Sequence, residues 1–140
     1  MPAQIRPMRL TDHAAAHALW SATPGVGTDA SDEPAAIAAY LERNPGMSFV
    51  AEDGAALVGA VLGGSDGRRA YLHHLAVAPT HRGQGLGREL VERALAALAA
   101  AGMWRCHVFV YASNPEGMAF WARGGWRVRT DLVMMSREIG

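Results

Sequence analysis

The sequence contains no lysine, and arginine supplies all 13 of its basic residues. The phosphate-binding loop of nucleoside triphosphatases needs a lysine after its last glycine, so nucleotide hydrolysis of that kind is disfavoured. Asp and Glu together also number 13, which leaves a formal net charge of zero. A nucleic-acid-binding protein would carry a basic excess on one face, and we therefore expect no nucleic acid partner.

Cysteine and long apolar runs are scarce as well. The single Cys106 cannot form a disulfide within the chain, and no group of cysteines and histidines has the spacing of a zinc site. There is no run of 18 apolar residues and no charged-then-apolar leader. We expect a soluble, cytoplasmic protein with no metal and no membrane partner, in which Cys106 is a small core residue.

The chain does have enough apolar material for one core. Half of its 140 residues are hydrophobic, and this length is near the usual size of a single domain. No internal repeat and no low-complexity linker divides it. The prediction is one domain over residues 1–140.

The most informative stretch is a predicted strand that leads through glycines into a helix. The strand, 70–77, ends at Pro79, which cannot donate to a sheet ladder. Glycines follow at 83, 85 and 87, and apolar residues then recur at helical spacing from Arg88 to Ala101. A helix start presents unpaired N–H groups and about half a positive charge, and glycines let an anion approach the backbone. The stretch therefore predicts a diphosphate site.

The spacing of these glycines identifies the kind of diphosphate site. A dinucleotide-binding fingerprint needs Gly-x-Gly-x-x-Gly and an acidic residue about 20 positions later, and neither is present. The pattern Arg-x-x-Gly-x-Gly, made by Arg82, Gly85 and Gly87 after the run 75–77 and Pro79, resembles the signature of the GNAT superfamily of acyl-CoA-dependent N-acyltransferases. For this stretch alone, the alternative is a glycine-containing helix entry that binds no ligand.

A second motif extends the resemblance to the last third of the chain. Asn114-Pro115, Ala119-Phe120-Trp121 and Gly125-Trp126 are similar to the superfamily pattern Asn-x-x-Ala-x-x-Phe-Tyr-x-x-x-Gly-Phe, with one more residue between Asn and Ala. The order of predicted helices and strands is also that of the superfamily. The resemblance therefore covers nearly the whole chain.

The resemblance implies an α/β fold of the α+β type. Its mixed, mostly antiparallel sheet would have six to seven strands with splayed central strands, flanked by about four helices. The predicted strands are Gln4–Arg9, Met47–Glu52, Ala55–Gly63, Tyr71–Val77, Cys106–Tyr111, Trp126–Val128 and Asp131–Ser136. The predicted helices begin at Thr11 or Asp12, at Pro34, at Arg88, and at Ser113 or Asn114, and end near Ala22, Arg43, Ala101 and Ala122.

The resemblance also implies acetyl-CoA as the co-substrate. The glycine-containing loop would bind its diphosphate, and the exposed backbone of the strand before that loop would pair with the pantetheine amides. Asn114 would hydrogen-bond the pantetheine arm or the diphosphate side. The residues expected to bind acetyl-CoA are Leu75, Ala76, Val77, Arg82, Gly83, Gln84, Gly85, Leu86, Gly87, Arg88, Asn114 and Trp121.

A catalytic base is predicted on the strand before the loop. An alkylamine with a pKa of about 10 must lose a proton before it attacks, which costs roughly 4 kcal/mol at pH 7. Because strand side chains alternate, Tyr71 and His73 are predicted on one face and His74 on the other. Many relatives have a glutamate at the position of His73. This chain resembles the arylalkylamine acyltransferases, which have a histidine there. We predict His73 as the base, directly or through a water, beside Tyr71; His74 and a purely structural His73 are the alternatives.

Trp121 departs from the superfamily pattern. Many relatives have a tyrosine there that protonates the departing thiolate, and an indole N–H cannot give up its proton at ordinary pH. Either the thiolate leaves unaided, since a thiol has a reference pKa of about 8.5, or Tyr111, Ser113 or water supplies the proton. Trp121 is then a wall of the pocket.

The amine site is predicted between the first two helices. Asp29, Asp32 and Glu33 could hold an ammonium group there, and Trp20 and Tyr40 could add an aromatic face. The alternative is that Asp32 or Ser31 caps the second helix and the other carboxylates are solvated.

These features predict an N-acetyltransferase. The acetyl group of acetyl-CoA would pass to a primary amine of a small molecule or peptide by direct attack in a ternary complex, without a protein nucleophile. The alternative is an acetyl-CoA-binding module of the same fold with little or no turnover, which a tryptophan at the acid position permits. A homodimer paired through the final strands is left open.

Overall fold

The computed structural model describes residues 3–140. They fall into two compact units, one that ends at Phe109 and one from Val110 to Gly140. The first unit contains strands β1 (Gln4–Pro7), β2 (Phe49–Asp53), β3 (Ala56–Ser65), β4 (Ala70–Val77) and β5 (Cys106–Val108), and helices α1 (His13–Ala22), α2 (Pro34–Arg43) and α3 (Leu86–Ala100). The second unit contains α4 (Pro115–Arg123).

The five strands form one sheet in chain order. The pairs β1–β2, β2–β3 and β3–β4 are antiparallel, and β5 runs parallel to β4. Turns at Gly54 and Gly67, both with positive φ, join β2 to β3 and β3 to β4, whereas α1 and α2 lie between β1 and β2. A parallel neighbour needs a crossover instead, and α3 supplies it between β4 and β5.

Helices cover both faces of the sheet. On one face, a cluster contains residues of α1, α2 and the strands: Met8, Ala16, Trp20, Ile37, Val50, Ala60, Leu62 and Ala76. Against the other face, α3 buries Leu90, Val91, Ala94 and Leu98. Gly59 of β3 allows the close approach of α3, because a Cβ at this position would lie 2.9 Å from Cδ1 of Leu90.

The predicted fold class and number of helices are confirmed, and the predicted number of strands is wrong. Among residues 3–140, the sheet has five strands rather than six to seven. The predicted strands Trp126–Val128 and Asp131–Ser136 are not strands in the second unit, where α4 is the one regular element among the described residues. A strand needs a ladder partner, and that unit offers none to this segment. A salt bridge of 2.9 Å between Arg129 and Asp131 is formed there instead.

The ends of the elements also differ from prediction at several places. Helix α2 has the predicted bounds, but α3 begins at Leu86 rather than at Arg88, and β5 ends at Val108 rather than at Tyr111. Asp12 precedes α1 without capping it through its side chain, because its carboxylate accepts hydrogen bonds from Arg6 at 2.7 and 2.8 Å. Within the part of the chain that the structure describes, no helix has the length and apolar content needed to cross a bilayer.

Trp20 is the largest fully buried side chain of the core and provides a first prediction. Its exposure is 0%, and its indole Nε1 is a buried donor without an acceptor among residues 3–140. We expect Trp20→Ala to lower the free energy of unfolding by about 3–5 kcal/mol. Trp20→Phe should cost much less, because phenylalanine keeps an aromatic ring in the core and removes an unpaired buried donor.

Urea denaturation monitored by circular dichroism measures the loss in free energy of unfolding for Trp20→Ala and for Trp20→Phe. Equal losses for Trp20→Phe and Trp20→Ala would mean that the indole nitrogen makes a stabilising contact in solution.

Candidate active site

The β5 side of β4 is left open toward the carboxyl end of the strand. Pairing with β5 ends at Leu72 and Val108, whereas β4 continues along β3 as far as Val77. The N–H of Ala78 donates to the carbonyl of Val58 at 2.8 Å, so it faces β3. Because successive residues of an antiparallel strand face opposite sides, Val77 directs its backbone groups toward the open edge. The edge can therefore accept an extended ligand.

A loop with two left-handed glycines follows this strand. We call residues 82–85 the glycine loop; Gly83 has φ +76° and Gly85 has φ +80°. Only glycine adopts this region without a steric cost. Gly85 is the residue directly before α3, so the loop ends where the helix begins.

The start of α3 presents backbone donors. In the described part of the chain, the N–H groups of Gly85, Leu86 and Gly87 have no hydrogen-bond acceptor, and the first helical bond runs from Glu89 to the carbonyl of Gly85 at 3.0 Å. Leu86 is buried and anchors the helix start. Three unpaired donors at the positive end of a 15-residue helix form a site suited to an anion.

The side chains of Arg82 and of His81, the residue before it, hold the start of the glycine loop in place. The Nε of Arg82 donates to the carbonyl of Val77 at 2.9 Å, which ties the loop to the end of β4. His81 lies 2.7 Å from a carboxylate oxygen of Asp53 at the end of β2, and 2.8 Å from the hydroxyl of Thr80. The sequence predicts no role for His81, because its contact with Asp53 joins residues 28 positions apart.

His73 lies in an aromatic group next to the open edge. Its ring centroid is 6.2 Å from that of Tyr71 and 6.0 Å from that of Phe109, both nearly parallel, and 6.4 Å from the edge-on ring of Tyr40. Burial lowers the pKa of His73, the charge of His74 lowers it further, and the carboxylate of Asp32 acts in the opposite direction. Neither ring nitrogen makes a hydrogen bond among residues 3–140, so the neutral imidazole can accept a proton.

The prediction that His74 lies on the opposite face of the sheet from His73 is wrong. The pairing of β3 and β4 shifts between Ala60 and Leu62, and His74 has φ +55°, a left-handed value for a residue in a strand. This irregularity is a β-bulge, which interrupts the alternation of side chains. The ring of His74 lies 5.1 Å from that of Trp20, so both histidines are on the face covered by α1 and α2.

Two of the three carboxylates predicted to bind the amine, those of Asp29 and Asp32, make other contacts in the structure. Asp32 is buried, lies 2.8 Å from Nε2 of His74, and accepts the N–H of Asp29 at 3.0 Å. Asp29 in turn accepts hydrogen bonds from the hydroxyl of Ser31 and, at 2.8 Å, from its N–H, and both lower the pKa of the Asp29 carboxyl. Neither Asp32 nor Ser31 caps α2, because Glu33 is the residue before that helix and its side chain makes no capping bond. Glu33 is exposed.

Trp20 is not placed to face a substrate. Its side chain belongs to the core cluster and touches His74 instead. A fully buried indole offers no free aromatic face to an ammonium group. Of the predicted amine-binding residues, Asp29 and Glu33 remain exposed.

Asn114 and Trp121 belong to the second unit. The side-chain oxygen of Asn114 accepts the N–H of Gly117 at 3.0 Å and so caps α4, as predicted for the helix start. The Trp121 ring packs edge-on against Phe120 at 5.2 Å and Trp126 at 5.0 Å. Their contact with acetyl-CoA stays a prediction.

Metal binding and a cysteine nucleophile find no support in the described residues. Residues 3–140 contain no group of three or more His, Cys, Asp or Glu side chains positioned to hold a metal ion. Burial raises the pKa of the Cys106 thiol to about 11, so the thiol is protonated at neutral pH. A protonated thiol is a poor nucleophile. The residue is half-buried, so the prediction that it belongs to the core is wrong.

Three known proteins are similar to this chain. An acetyltransferase of Pectobacterium atrosepticum is 32% identical over 111 residues, which are 79% of this chain and 78% of that protein. Naa20 of Chaetomium thermophilum, solved with a bisubstrate analogue, has a TM-score of 0.74 and 27% identity, with 86% of this chain and 69% of that chain covered. PaiA N-acetyltransferase of Thermoplasma acidophilum, solved with coenzyme A, has a TM-score of 0.78 at 18% identity, with 92% of each chain covered.

The family model described as the acetyltransferase (GNAT) family matches residues 13–126 and so extends across both compact units. This match covers most of the 140 residues and includes β4, the glycine loop and α3. The chain belongs to the GNAT family of acetyltransferases.

Proposed function

We propose that the protein uses acetyl-CoA to acetylate a primary amine by direct transfer in a ternary complex. The observation that carries the proposal is the open edge of β4 leading into the unpaired N–H groups of Gly85, Leu86 and Gly87. Acetyl-CoA supplies a thioester, an activated acyl group. This chain supplies the groups that bind it and that remove a proton from the amine.

The glycine loop fits a diphosphate. A Cβ at Gly83 or Gly85 would meet no atom within 4 Å, so the loop leaves open space beside its backbone. The unpaired donors and the positive helix end favour an anion, and the guanidinium of Arg82 adds a positive charge at the same turn. The backbone of Val77 at the open edge can pair with an amide of the pantetheine arm, as a strand pairs with an extended peptide.

His73 is proposed as the base. The amine reaches the enzyme mostly as an ammonium ion, and the neutral imidazole of His73 accepts its proton directly or through a water. The new N–C bond then forms as the C–S bond breaks. Because Trp121 cannot donate a proton, the sulfur leaves as the thiolate and takes its proton from water, from Tyr111 or from Ser113.

The class of amine is proposed from the fold and from one relative. Naa20, a neighbour at 27% identity, was solved in complex with a bisubstrate analogue. The exposed Asp29 and Glu33 leave carboxylates between α1 and α2 that can attract an ammonium group. A small amine and the α-amine of a peptide share this chemistry, so both belong in the test.

Two measurements on the purified chain test the proposal. Titration calorimetry with CoA and acetyl-CoA reports binding, and a thiol assay with amines, polyamines, amino acids and peptides reports transfer. Heat with both ligands and thiol release with at least one amine are expected. Heat without thiol release across the panel would favour the binding module, and no heat at all would overturn the proposal.

A further inference from the structure

A contact between Asp32 and His74 lies behind the proposed base. Nε2 of His74 is 2.8 Å from Oδ1 of Asp32, and the two residues are 42 positions apart in the chain. The side chain of Asp32 is 7% exposed and that of His74 is 20% exposed. Burying a carboxylate costs free energy unless the group is paired and hydrogen-bonded. The contact with His74 therefore stabilises the buried carboxylate of Asp32.

Asp32 is fixed independently of His74. Its second carboxylate oxygen accepts the N–H of Asp29 at 3.0 Å, and its backbone carbonyl lies 2.7 Å from Nε2 of His13. The ring of Trp20 covers His74 from α1 at a centroid distance of 5.1 Å. Asp32 therefore presents a rigid acceptor to a side chain on the sheet.

His74 occupies the bulge of β4 in a strained conformation. A φ of +55° is uncommon for a residue other than glycine, and such residues persist where their surroundings hold them. If the bulge were lost, the pairing of β4 with β3 would shift by one residue. A shift of one residue turns side chains to the opposite face of a sheet. The position of His73 therefore depends on the bulge.

We propose that Asp32 and His74 are positioning residues that fix the bulge of β4 and thereby hold His73 at the open edge. The inference rests on the proposed role of His73 as the base. It assigns to the pair a role in catalysis without contact with the substrate. Asp32 and His74 act on the amine only through His73.

Electrostatics gives this pair a measurable signature. The charged and titratable groups around His74 are Asp32 and Asp29 of the turn before α2, His13 of α1, and His73 of its own strand. The charge of His74 lowers the pKa of His73, and Asp32 raises it. Replacing His74 by glutamine removes the effect of the His74 charge and leaves the effect of the Asp32 carboxylate. The pKa of His73 should therefore rise in His74→Gln.

The test compares His74→Gln, His74→Leu and the unchanged protein. NMR titration of histidine-labelled protein follows His73, and His73→Ala assigns its signal. Both variants should show a raised pKa of His73. Glutamine keeps a donor for Asp32, so His74→Gln should retain more kcat than His74→Leu, which we expect to lose roughly a hundredfold because the base is displaced. The Kd of CoA should not change in either variant.

The titration needs no turnover, so the inference is tested even if no amine is acetylated. An unchanged pKa of His73 in His74→Gln, or equal kcat in the two variants, would overturn it. If His74→Leu does not fold, Asp32→Asn replaces it and keeps the size of the side chain. Full kcat in Asp32→Asn would also overturn the inference. His17→Gln, on α1 and 5.4 Å from His13, is the control and should leave the pKa of His73 unchanged.

Discussion

His73→Ala is expected to lower kcat for amine acetylation by roughly 10²–10⁴-fold, the usual contribution of a positioned general base. The Kd of CoA should stay unchanged, because the proposed phosphate site is formed by backbone groups of the glycine loop and α3. Steady-state kinetics with a saturating amine and calorimetry with CoA separate the two effects.

His17→Ala is the control for the His73 experiment. His17 is a histidine of α1 whose Nδ1 contacts Ser21 at 3.4 Å, and it takes no part in the aromatic group around His73. Its kinetics should match those of the unchanged protein. Equal rates for His73→Ala and His17→Ala would remove His73 from the mechanism.

The pH dependence of kcat/KM is expected to follow His73. Only the neutral imidazole accepts a proton, so the rate should rise with pH through the pKa of His73 and then level off until other groups titrate. Because burial lowers this pKa from its ordinary value of about 6.5, the midpoint of the pH profile should lie below pH 6.5. A midpoint above 6.5 would mean that His73 is solvated or faces an additional negative charge.

Local patterns were enough to predict the helices and the glycine loop. The apolar spacing after residue 88 identified α3, and the glycines at 83 and 85 adopt the positive φ that their position requires. These features depend on residues close together in the chain. The start of the helix was misplaced by two residues because Gly85, which has no capping side chain, precedes it.

Contacts between distant residues account for what the sequence did not reveal. Alternation along β4 placed His74 on the wrong face, because a bulge depends on the pairing with β3. Asp32 looked like a helix cap or an ammonium ligand, and its actual partner is His74, 42 residues away. Trp20 was interpreted as a substrate contact because an amphipathic helix does not show which aromatic residue is fully buried.

Replacing Gly85 should have the largest effect on ligand binding. In Gly85→Glu, a residue with a side chain must adopt φ +80°, which costs roughly 1–2 kcal/mol. The added carboxylate lies beside the N–H groups that are proposed to bind the diphosphate, and two like charges about 4 Å apart repel by about 4 kcal/mol near a protein surface. We expect the Kd of acetyl-CoA to rise at least a hundredfold, measured by calorimetry.

The glycine at the turn between β3 and β4 provides a matched control. Gly67 has φ +93°, and a Cβ there also meets no atom within 4 Å, so Gly67→Glu carries a similar backbone cost. It precedes β4, whereas Gly85 follows that strand, so the two positions are at opposite ends of it. Both variants should lose a similar amount of stability in urea, since a carboxylate at a helix start regains at most about 1 kcal/mol. Only Gly85→Glu should lose affinity for acetyl-CoA. If its Kd equals that of Gly67→Glu, the diphosphate binds somewhere other than the start of α3.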